Sequence, residues 1–442
     1  MTPNPNERTS RRDFMKTSTA AAVGTGLLGG MALSPRAYAS GSDTIRIGLV
    51  GCGGRGSGAV GDALAANENA RLVAMGDVFG DMLHSHLRGL KYRFQAQPER
   101  VDVKPEHMYV GFDAYQKVLA SPIDVVILAT PPGFRPIHFE AAVKAGKNIF
   151  TEKPLGVDGP GIRRVLAANE HAKAKNLKVG VGLQRHHEPK YIETIDRIKS
   201  GAIGDVLAMR VYWNDWGVWE PRLAREKAKT EMEYQMRNWY YYTWLSGDHI
   251  VEQHIHNLDV GNWIKGDHPV RCWGIGGRQV LTDKRYGEIF DHHCVEYEYR
   301  DGTRMYSQCR HQPNTWKSVT EHAVGTKGTS EVDEGLIVSG ATKWKHKSQR
   351  HELPYQFEHA DLFAAIRENR PYNEVENGAH STLTAIMGRM ATYSGKPVAW
   401  EAALNSELDL MPERFAWDAD PRNVPLADGS YAVAVPGVTK AV

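Results

Sequence analysis

The sequence predicts an α/β protein of two domains, the first of them built on a parallel sheet. At 442 residues the chain exceeds the usual size of one domain. Between residues 44 and 151, short apolar segments alternate with a helical one, which is typical of βαβ units. Further along, strand-like segments flank Asp301-Gly302, a dipeptide that favours a hairpin turn. The second domain is therefore expected to contain antiparallel strands.

Four short apolar segments form the predicted parallel sheet, and they are residues 44–50, 71–76, 124–130 and 147–151. The first runs directly into a turn in which Gly51, Gly53 and Gly56 have G-x-G-x-x-G spacing, and a helical segment follows. Gly51 permits a tight turn, Gly53 lets backbone amides approach a pyrophosphate, and Gly56 allows close helix–strand packing. The pattern predicts a Rossmann dinucleotide-binding domain, with Gly54 and Arg55 in the same anion-binding turn.

An acid ends the second predicted strand, at Asp77. At this distance from the glycine turn a carboxylate accepts hydrogen bonds from both ribose hydroxyls, which favours NAD, with NADP as the alternative. Ligands of a parallel sheet lie beyond the carboxyl ends of its strands. We therefore expect Thr130-Pro131 and Glu152-Lys153, which follow the third and fourth strands, to rim the nicotinamide.

Composition and charge exclude several classes of function. Fifty-four basic and 52 acidic side chains leave a net charge of +2 without a long basic block, so nucleic acid is not an expected partner. The hydrophobic content of 41% argues against repeated membrane spans. Four cysteines form neither a disulfide scaffold nor CxxC zinc spacing. We expect them to be buried and unpaired, with a Cys294–Cys309 disulfide as the alternative.

Residues 1–39 resemble a twin-arginine export signal. Arg11-Arg12 and Phe14 precede a weakly apolar Ala/Gly-rich stretch at 17–33, and Ala37-Tyr38-Ala39 is typical of a cleavage site. We expect a periplasmic or otherwise exported protein with no membrane span after cleavage. A retained anchor is the alternative.

Four ordered motifs resemble the Gfo/Idh/MocA family of oxidoreductases, which includes glucose-fructose oxidoreductase and inositol dehydrogenase. They are residues 51–56, Ala145-Gly146-Lys147 leading to Glu152-Lys153-Pro154, residues 200–204 and residues 247–259. The resemblance implies a Rossmann domain at 44–158. It implies a second α/β domain at 159–425, with substrate and oligomerisation roles, whose open, mostly antiparallel sheet forms one wall of the substrate cleft. Residues 426–442 are expected to form a tail.

Oxidising an alcohol by hydride transfer requires a group that takes the hydroxyl proton and a group that stabilises the developing oxyanion. Lys153 has the chemistry for both tasks. The resemblance implies that His256 is the proton acceptor of the substrate, and it places Glu252 where the family usually has aspartate.

A single helical face is predicted to gather the side chains of the second motif. If residues 244–263 are helical, the i, i+3, i+4 rule places on one face His249, Glu252, His256 and Asp259. Two histidines and two acids also suit Zn²⁺ or Mn²⁺, with His292 and His293 nearby. Hydride transfer is preferred, and we assign no metal site.

Substrate contacts are expected at the same edge of the cleft. A predicted strand from Lys178 ends near Arg185-His186, and the resemblance makes Arg185 a substrate contact, with His186 and Asp259 beside it. Aromatic clusters at 212–216 and 239–244 suit stacking on sugar faces and, equally, a subunit interface. We expect a small carbohydrate as substrate and a homo-oligomer of two or four chains.

Export constrains the cofactor, because no cytoplasmic pool replenishes it outside. At an ordinary association rate, a cofactor bound with micromolar affinity leaves within about a second. We therefore expect an exported NAD(P)-dependent oxidoreductase that acts on a sugar or polyol and holds its cofactor tightly. The alternative is an NAD-dependent enzyme that cleaves glycosides through a transient keto sugar without net redox change.

Overall fold

The computed structural model of the protein describes residues 44–348 and 352–442. The predicted export signal lies outside these residues. Within them, no helix is both long enough and apolar enough to cross a membrane.

The N-terminal domain contains a six-stranded parallel sheet in the order β3-β2-β1-β4-β5-β6. Its strands are β1 (Ile45–Val50), β2 (Ala70–Asp77), β3 (Met108–Val110), β4 (Val125–Leu128), β5 (Asn148–Thr151) and β6 (Val179–Val181). The four predicted strands are all present. The chain order reverses between β1 and β4, and in open α/β sheets a crevice for ligands forms at that point.

Successive residues of the central strands enter two separate hydrophobic cores. In β4, Val126 packs in one core and Ile127 in the other, and both are buried. Burial on both faces explains why these strands are almost continuously apolar. The helices of this part of the chain are α1 (Gly54–Ala66), α2 (Gly80–Arg93), α3 (Ala114–Ala120), α4 (Arg135–Lys144), α5 (Gly159–Ala174) and α6 (Pro189–Lys199).

The first sheet extends beyond the domain end predicted at residue 158. Strand β6 pairs with β5 through Val179, Gly180 and Val181, after helix α5. A strand from Lys178 is predicted, but the family resemblance places it in the second domain, and the predicted boundary therefore falls too early.

The second domain is built on a nine-stranded, mostly antiparallel sheet in the order β14-β13-β12-β11-β7-β10-β9-β8-β15. Its strands are β7 (Val206–Asp215), β8 (Arg271–Gly277), β9 (His292–Glu298), β10 (Arg304–His311), β11 (Ser318–Gly325), β12 (Gly328–Glu331), β13 (Leu336–Ser339), β14 (Thr342–Lys345) and β15 (Val398–Ala399). Strands β7 and β10 pair in parallel. The predicted hairpin at Asp301-Gly302 is confirmed, since β9 and β10 pair antiparallel across it.

Residues 244–263 do not form the single helix that the sequence predicts. Instead the chain makes three short helices, separated at Gln253-His254 and at Gly247-Asp248, whose φ angles are 78° and 77°. Such left-handed backbone ends a helix. The helices of the second domain are α7 (Glu231–Arg237), α8 (Thr243–Ser246), α9 (His249–Glu252), α10 (Ile255–Lys265), α11 (Pro354–Arg367), α12 (Val375–Ser394) and α13 (Trp400–Leu404).

The four cysteines are unpaired, as expected, but they are not all buried. Cys52, Cys272 and Cys309 are buried, whereas Cys294 is exposed. Cys309 lies opposite His293 in the β9–β10 register, so Cys294 faces the other side of the sheet. This register also excludes the alternative Cys294–Cys309 disulfide.

Candidate active site

A cavity of about 860 Å³ opens at the carboxyl ends of the central parallel strands. Residues from both domains line it. Its volume lies in the range of cavities that hold cofactors and small substrates. The cavity has a wall made by the glycine turn and strand ends, called here the cofactor wall, and a wall made by the second domain, called here the substrate wall.

The glycine turn gives the cofactor wall its shape. Gly51 has a φ of 93°, and a Cβ added there would lie 2.6 Å from the carbonyl carbon of Ala129. A Cβ at Gly56 would lie 2.0 Å from the Gly51 carbonyl oxygen, so this glycine permits close packing without lining the cavity. Gly53 and Gly54 line the cavity, and an added Cβ at either would meet open space. The turn therefore has the form of a cradle for a pyrophosphate.

Asp77 lies at the end of β2 and lines the same wall. Its Oδ2 accepts a hydrogen bond from the Cys52 amide at 2.7 Å, and its Oδ1 accepts one from the Phe79 amide at 2.8 Å. Burial raises the pKa of this carboxyl. Each carboxylate oxygen keeps a lone pair for a further donor such as a ribose hydroxyl.

Two arginines hold the loops that follow the strands. Arg55 Nε lies 2.9 Å from Glu152 Oε1, which ties the glycine turn to the end of β5. The buried Arg135 guanidinium donates to the Thr130 carbonyl at 2.7 Å and to the Leu128 carbonyl. Thr130, Pro131, Glu152 and Lys153 all line the cavity, where the sequence places them.

Three predicted catalytic residues meet in the cavity, where Lys153 of the cofactor wall faces Glu252 and His256 of the substrate wall. Lys153 Nζ lies 3.0 Å from Glu252 Oε1 and also donates to the Glu252 main-chain carbonyl. Both side chains are 11% exposed, so this ion pair is largely shielded from water. His256 lines the cavity as well, and its ring stacks on Trp213 with centroids 6.0 Å apart.

Electrostatics keep the His256 imidazole in its neutral form. Burial lowers the pKa of His256 well below its ordinary value, and the positive charges of Lys153 and Arg185 lower it further. A neutral imidazole is the form that accepts a proton. Burial raises the pKa of the Glu252 carboxyl, and the ammonium of Lys153 opposes that rise.

The predicted substrate residues divide into two groups. Arg185 lines the cavity, and its guanidinium is held by the buried carboxylate of Glu321. His186 and Asp259 bind each other, with Nε2 and Oδ2 2.8 Å apart, and neither lines the cavity. Burial acts to lower the pKa of His186, but the Asp259 carboxylate more than offsets this and raises it. The predicted direct contact of these two with substrate is replaced by a structural ion pair that anchors helix α10.

His249 does not share the cavity with Glu252 and His256. It is fully buried, and the break at Gln253-His254 separates its short helix from the helix that carries His256. The prediction that four side chains share one helical face is therefore wrong. The alternative of a metal site formed by these four side chains on one helical face is therefore also excluded.

Sequence reasoning missed part of the substrate wall. Trp219 and Arg222 lie between β7 and α7 and line the cavity. The Asn238 side chain fixes this segment, because its Oδ1 accepts from the amides of Arg222 and Leu223 at 2.7 and 3.0 Å. No local pattern marks these residues, since a buried asparagine fixes their position.

The predicted aromatic clusters divide between the cavity and the core. Trp213 and Trp239 line the cavity. Tyr240, Tyr242 and Trp244 lie in a buried hydrophobic cluster and line neither the cavity nor the surface. Trp216 is exposed.

The match to a known protein family covers the first domain. Residues 45–183 match the GFO_IDH_MocA model, described as the oxidoreductase family with an NAD-binding Rossmann fold. This match identifies the first sheet and its glycine turn as an NAD-binding Rossmann domain.

Among curated proteins, the chain is 26% identical over 252 residues to inositol 2-dehydrogenase of Rhizobium meliloti, which covers 57% of this chain and 64% of that protein. It is 26% identical over 386 residues to inositol 2-dehydrogenase of Ralstonia nicotianae, covering 86% of this chain and 98% of that one. A solved scyllo-inositol dehydrogenase of Lactobacillus casei, with bound NAD(H) and scyllo-inositol, superposes with a TM-score of 0.61 at 21% identity. It covers 81% of this chain and 99% of that one, and it shows that the two proteins share a fold.

Proposed function

We propose that the protein is a Gfo/Idh/MocA-family oxidoreductase that uses NAD to oxidise a CH–OH group of a polyol or sugar. The juxtaposition of Lys153 from the cofactor wall with Glu252 and His256 from the substrate wall carries this proposal. The match of residues 45–183 to an NAD-binding oxidoreductase family supports the cofactor. Both curated relatives are named inositol 2-dehydrogenases, which favours a polyol or sugar over other alcohols.

The residues of the cofactor wall fit a dinucleotide. The backbone of Gly51, Gly53 and Gly54 would hold the pyrophosphate, and Asp77 would accept from a ribose. Thr130 and Pro131 would border the nicotinamide. When bound, NAD⁺ supplies the acceptor for a hydride from the carbinol carbon of the substrate.

The chain's own residues supply the proton chemistry. His256, held neutral, takes the hydroxyl proton of the substrate at an imidazole nitrogen. The Lys153 ammonium donates to the oxygen as its negative charge grows and so stabilises it. Glu252 orients that ammonium through the 3.0 Å contact. Burial of the ion pair excludes water and strengthens these interactions.

The test of this function uses the full chain and a panel of cyclic polyols and aldoses. We expect NAD⁺ to bind in calorimetry to protein freed of copurified cofactor, and at least one polyol or sugar to produce NADH absorbance. Aryl glycosides are tested in parallel, although the comparisons do not favour glycoside cleavage. Aglycone release without NADH would replace the oxidoreductase proposal with the glycosidase. Failure of both NAD⁺ and NADP⁺ to bind would refute both functions.

We further propose export through the twin-arginine route and a cofactor that stays bound. The paired arginines and the Ala37-Tyr38-Ala39 sequence support export. Fractionation of cells that express the wild type and the double variant Arg11→Lys, Arg12→Lys tests it. We expect shortened protein outside the cytoplasm for the wild type alone, with nicotinamide copurifying. Equal export of both proteins would contradict the proposal.

We also propose a homo-oligomer formed through the outer face of the nine-stranded sheet. Ile275 on β8 and Tyr306 on β10 are 76% and 44% exposed, an unusual state for large apolar side chains in a sheet. Light scattering is expected to give the mass of two or four chains, and Ile275→Asp is expected to reduce it. A monomeric wild type would contradict this proposal.

A further inference from the structure

A second group of chemically active side chains lies away from the cavity. The ligating atoms of Asp248, His249 and His293 all lie within 4.8 Å of one another. The three residues are 0%, 0% and 3% exposed, and none lines the cavity. In residues 44–348 and 352–442 no other set of three or more His, Cys, Asp or Glu side chains is arranged to hold a metal ion.

The hydrogen bonds of His293 fix which ring nitrogen carries its proton. Its Nδ1 lies 2.9 Å from Thr392 Oγ1. That hydroxyl donates its own hydrogen to helix carbonyls, at 3.0 Å from Arg389 O and 3.2 Å from Gly388 O. The hydroxyl must therefore accept from Nδ1–H, so the neutral ring has its lone pair on Nε2.

That lone pair faces a carboxylate. His293 Nε2 lies 3.3 Å from Asp248 Oδ1, without the geometry of a hydrogen bond. The other oxygen, Oδ2, accepts from the Phe290 amide at 2.9 Å and from the Tyr393 hydroxyl at 2.6 Å. Oδ1 accepts from the backbone amide of His249 and is the oxygen that faces the rings of His249 and His293. At this distance a neutral imidazole and a carboxylate oxygen repel each other, so the two atoms need a shared cation, which is either a proton on Nε2 or a metal ion bound by both.

His249 supplies a third donor. It is fully buried, and neither of its ring nitrogens has a hydrogen-bond partner among the described residues. Its Nε2 lies 3.9 Å from Asp248 Oδ1. Asp248 itself holds a φ of 77°, a strained conformation for a residue with a Cβ. The backbone strain and the unsatisfied nitrogens occur at the same point of the chain.

We propose that Asp248 Oδ1, His249 Nε2 and His293 Nε2 bind one divalent transition-metal ion, with Zn²⁺ as the best match. Two imidazoles and one carboxylate form a donor set that Zn²⁺ accepts in tetrahedral geometry. With metal–ligand bonds of roughly 2.1 Å, tetrahedral donors lie about 3.4 Å apart, close to the 3.3 and 3.9 Å separations here. Thr392, Tyr393 and the Phe290 amide would orient the ligands from outside the site.

The role of this ion is structural. It joins the start of α9 to β9, and α12 supplies the outer partners Thr392 and Tyr393. Helix α9 ends at Glu252, which contacts Lys153, so the ion would fix the backbone that presents one catalytic residue. The inference does not depend on the proposed oxidoreductase activity.

The experiment measures metal content in full-length protein purified without a polyhistidine tag. After incubation with Zn²⁺ and gel filtration, we expect about one Zn²⁺ per chain by mass spectrometry. We expect His249→Asn and His293→Asn to hold less than about a tenth of that. The matched control is His359→Phe, because His359 is likewise fully buried and neither of its ring nitrogens has a hydrogen-bond partner within residues 44–348 and 352–442. The control is expected to keep the wild-type metal content.

Two measurements on the wild type test the metal site even if the variants do not fold. Co²⁺ added to metal-free protein is expected to give the visible absorption of a tetrahedral site, and Zn²⁺ is expected to raise the melting temperature that a chelator lowers. Wild-type protein that holds no metal after incubation, or folded His249→Asn and His293→Asn variants that keep the wild-type content, would overturn the proposal.

Discussion

The cofactor wall and the substrate wall of the cavity are built from different parts of the chain. Backbone makes much of the cofactor wall: glycines at the end of β1 and loops that follow β4 and β5. Side chains from the second domain make much of the substrate wall, and they come from β7, α9, α10 and the segment that carries Trp219. A backbone site is fixed by local sequence, whereas a side-chain site depends on how distant elements meet.

The largest expected effect belongs to the ion pair that spans both walls. Lys153→Met removes the donor to the developing oxyanion, and we expect kcat to fall by about 10³-fold. The affinity for NAD⁺ should change by less than about tenfold, since the pyrophosphate and ribose contacts remain. Steady-state kinetics and calorimetry measure the two effects. A variant that keeps wild-type kcat would remove Lys153 from the mechanism.

Two glycine substitutions separate the fold of the cofactor wall from its ligand. Gly51→Ala forces a Cβ against Ala129 at a φ of 93°, and we expect it to lower the free energy of unfolding by about 2 to 3 kcal/mol. Gly53→Ala meets open space, so the free energy of unfolding should change by less than about 0.5 kcal/mol. Because Gly53 lines the cavity, its substitution should still weaken NAD⁺ binding about tenfold.

Denaturant unfolding and calorimetry on the same two variants decide this prediction. Normal NAD⁺ affinity in Gly53→Ala would mean that the turn does not hold the dinucleotide. Normal stability in Gly51→Ala would mean that the turn tolerates a side chain.

Asp77 tests the choice of cofactor. Its carboxylate would repel the phosphate of NADP and accept from the ribose of NAD. We expect Asp77→Asn to weaken NAD⁺ binding about tenfold and to narrow the preference for NAD⁺ over NADP⁺. Binding titrations with both cofactors measure this. An unchanged preference would assign selectivity to another residue.

The smallest expected effect is a pH dependence outside the cavity. Burial, with the charges of Arg55 and His187, lowers the pKa of His359 to about 3. Folded His359 therefore stays neutral, whereas the unfolded chain binds a proton below about pH 6.5, so stability is lost as the pH falls below that value. At pH 5.5 this single group lowers the free energy of unfolding by about 1.4 kcal/mol.

His359→Phe removes this cost. Denaturant unfolding measures the free energy of unfolding of both proteins at pH 7.5 and pH 5.5. We expect this free energy to rise by about 1.4 kcal/mol in the variant, relative to the wild type, as the pH falls from 7.5 to 5.5. Parallel pH profiles for the two proteins would show instead that His359 does not stay neutral in the folded state.

The sequence alone predicts the cofactor wall well, and the reasons are local. Gly51, Gly53 and Asp77 follow strands whose apolar pattern is continuous, and all three line the cavity as that pattern predicts. Lys153 is predicted correctly for the same reason, because it follows β5.

The substrate wall is predicted only in part. A shared helical face for Glu252 and His256 requires one continuous helix, and the break at Gln253-His254 makes that prediction wrong. Glu252 and His256 still meet in the cavity, whereas His249 turns into a separate buried cluster. Trp219 and Arg222 have no local pattern that marks them, since the side chain of Asn238, 16 residues beyond Arg222, fixes their segment.

The most direct test of the division between the walls is calorimetric titration of NAD⁺ into the double variant Lys153→Met, His256→Asn. The account predicts an inactive protein that binds NAD⁺ within about tenfold of the wild-type affinity, because the glycine turn and Asp77 are untouched. Loss of NAD⁺ binding in a folded double variant would contradict it, since the side chains of Lys153 and His256 would then be holding the cofactor.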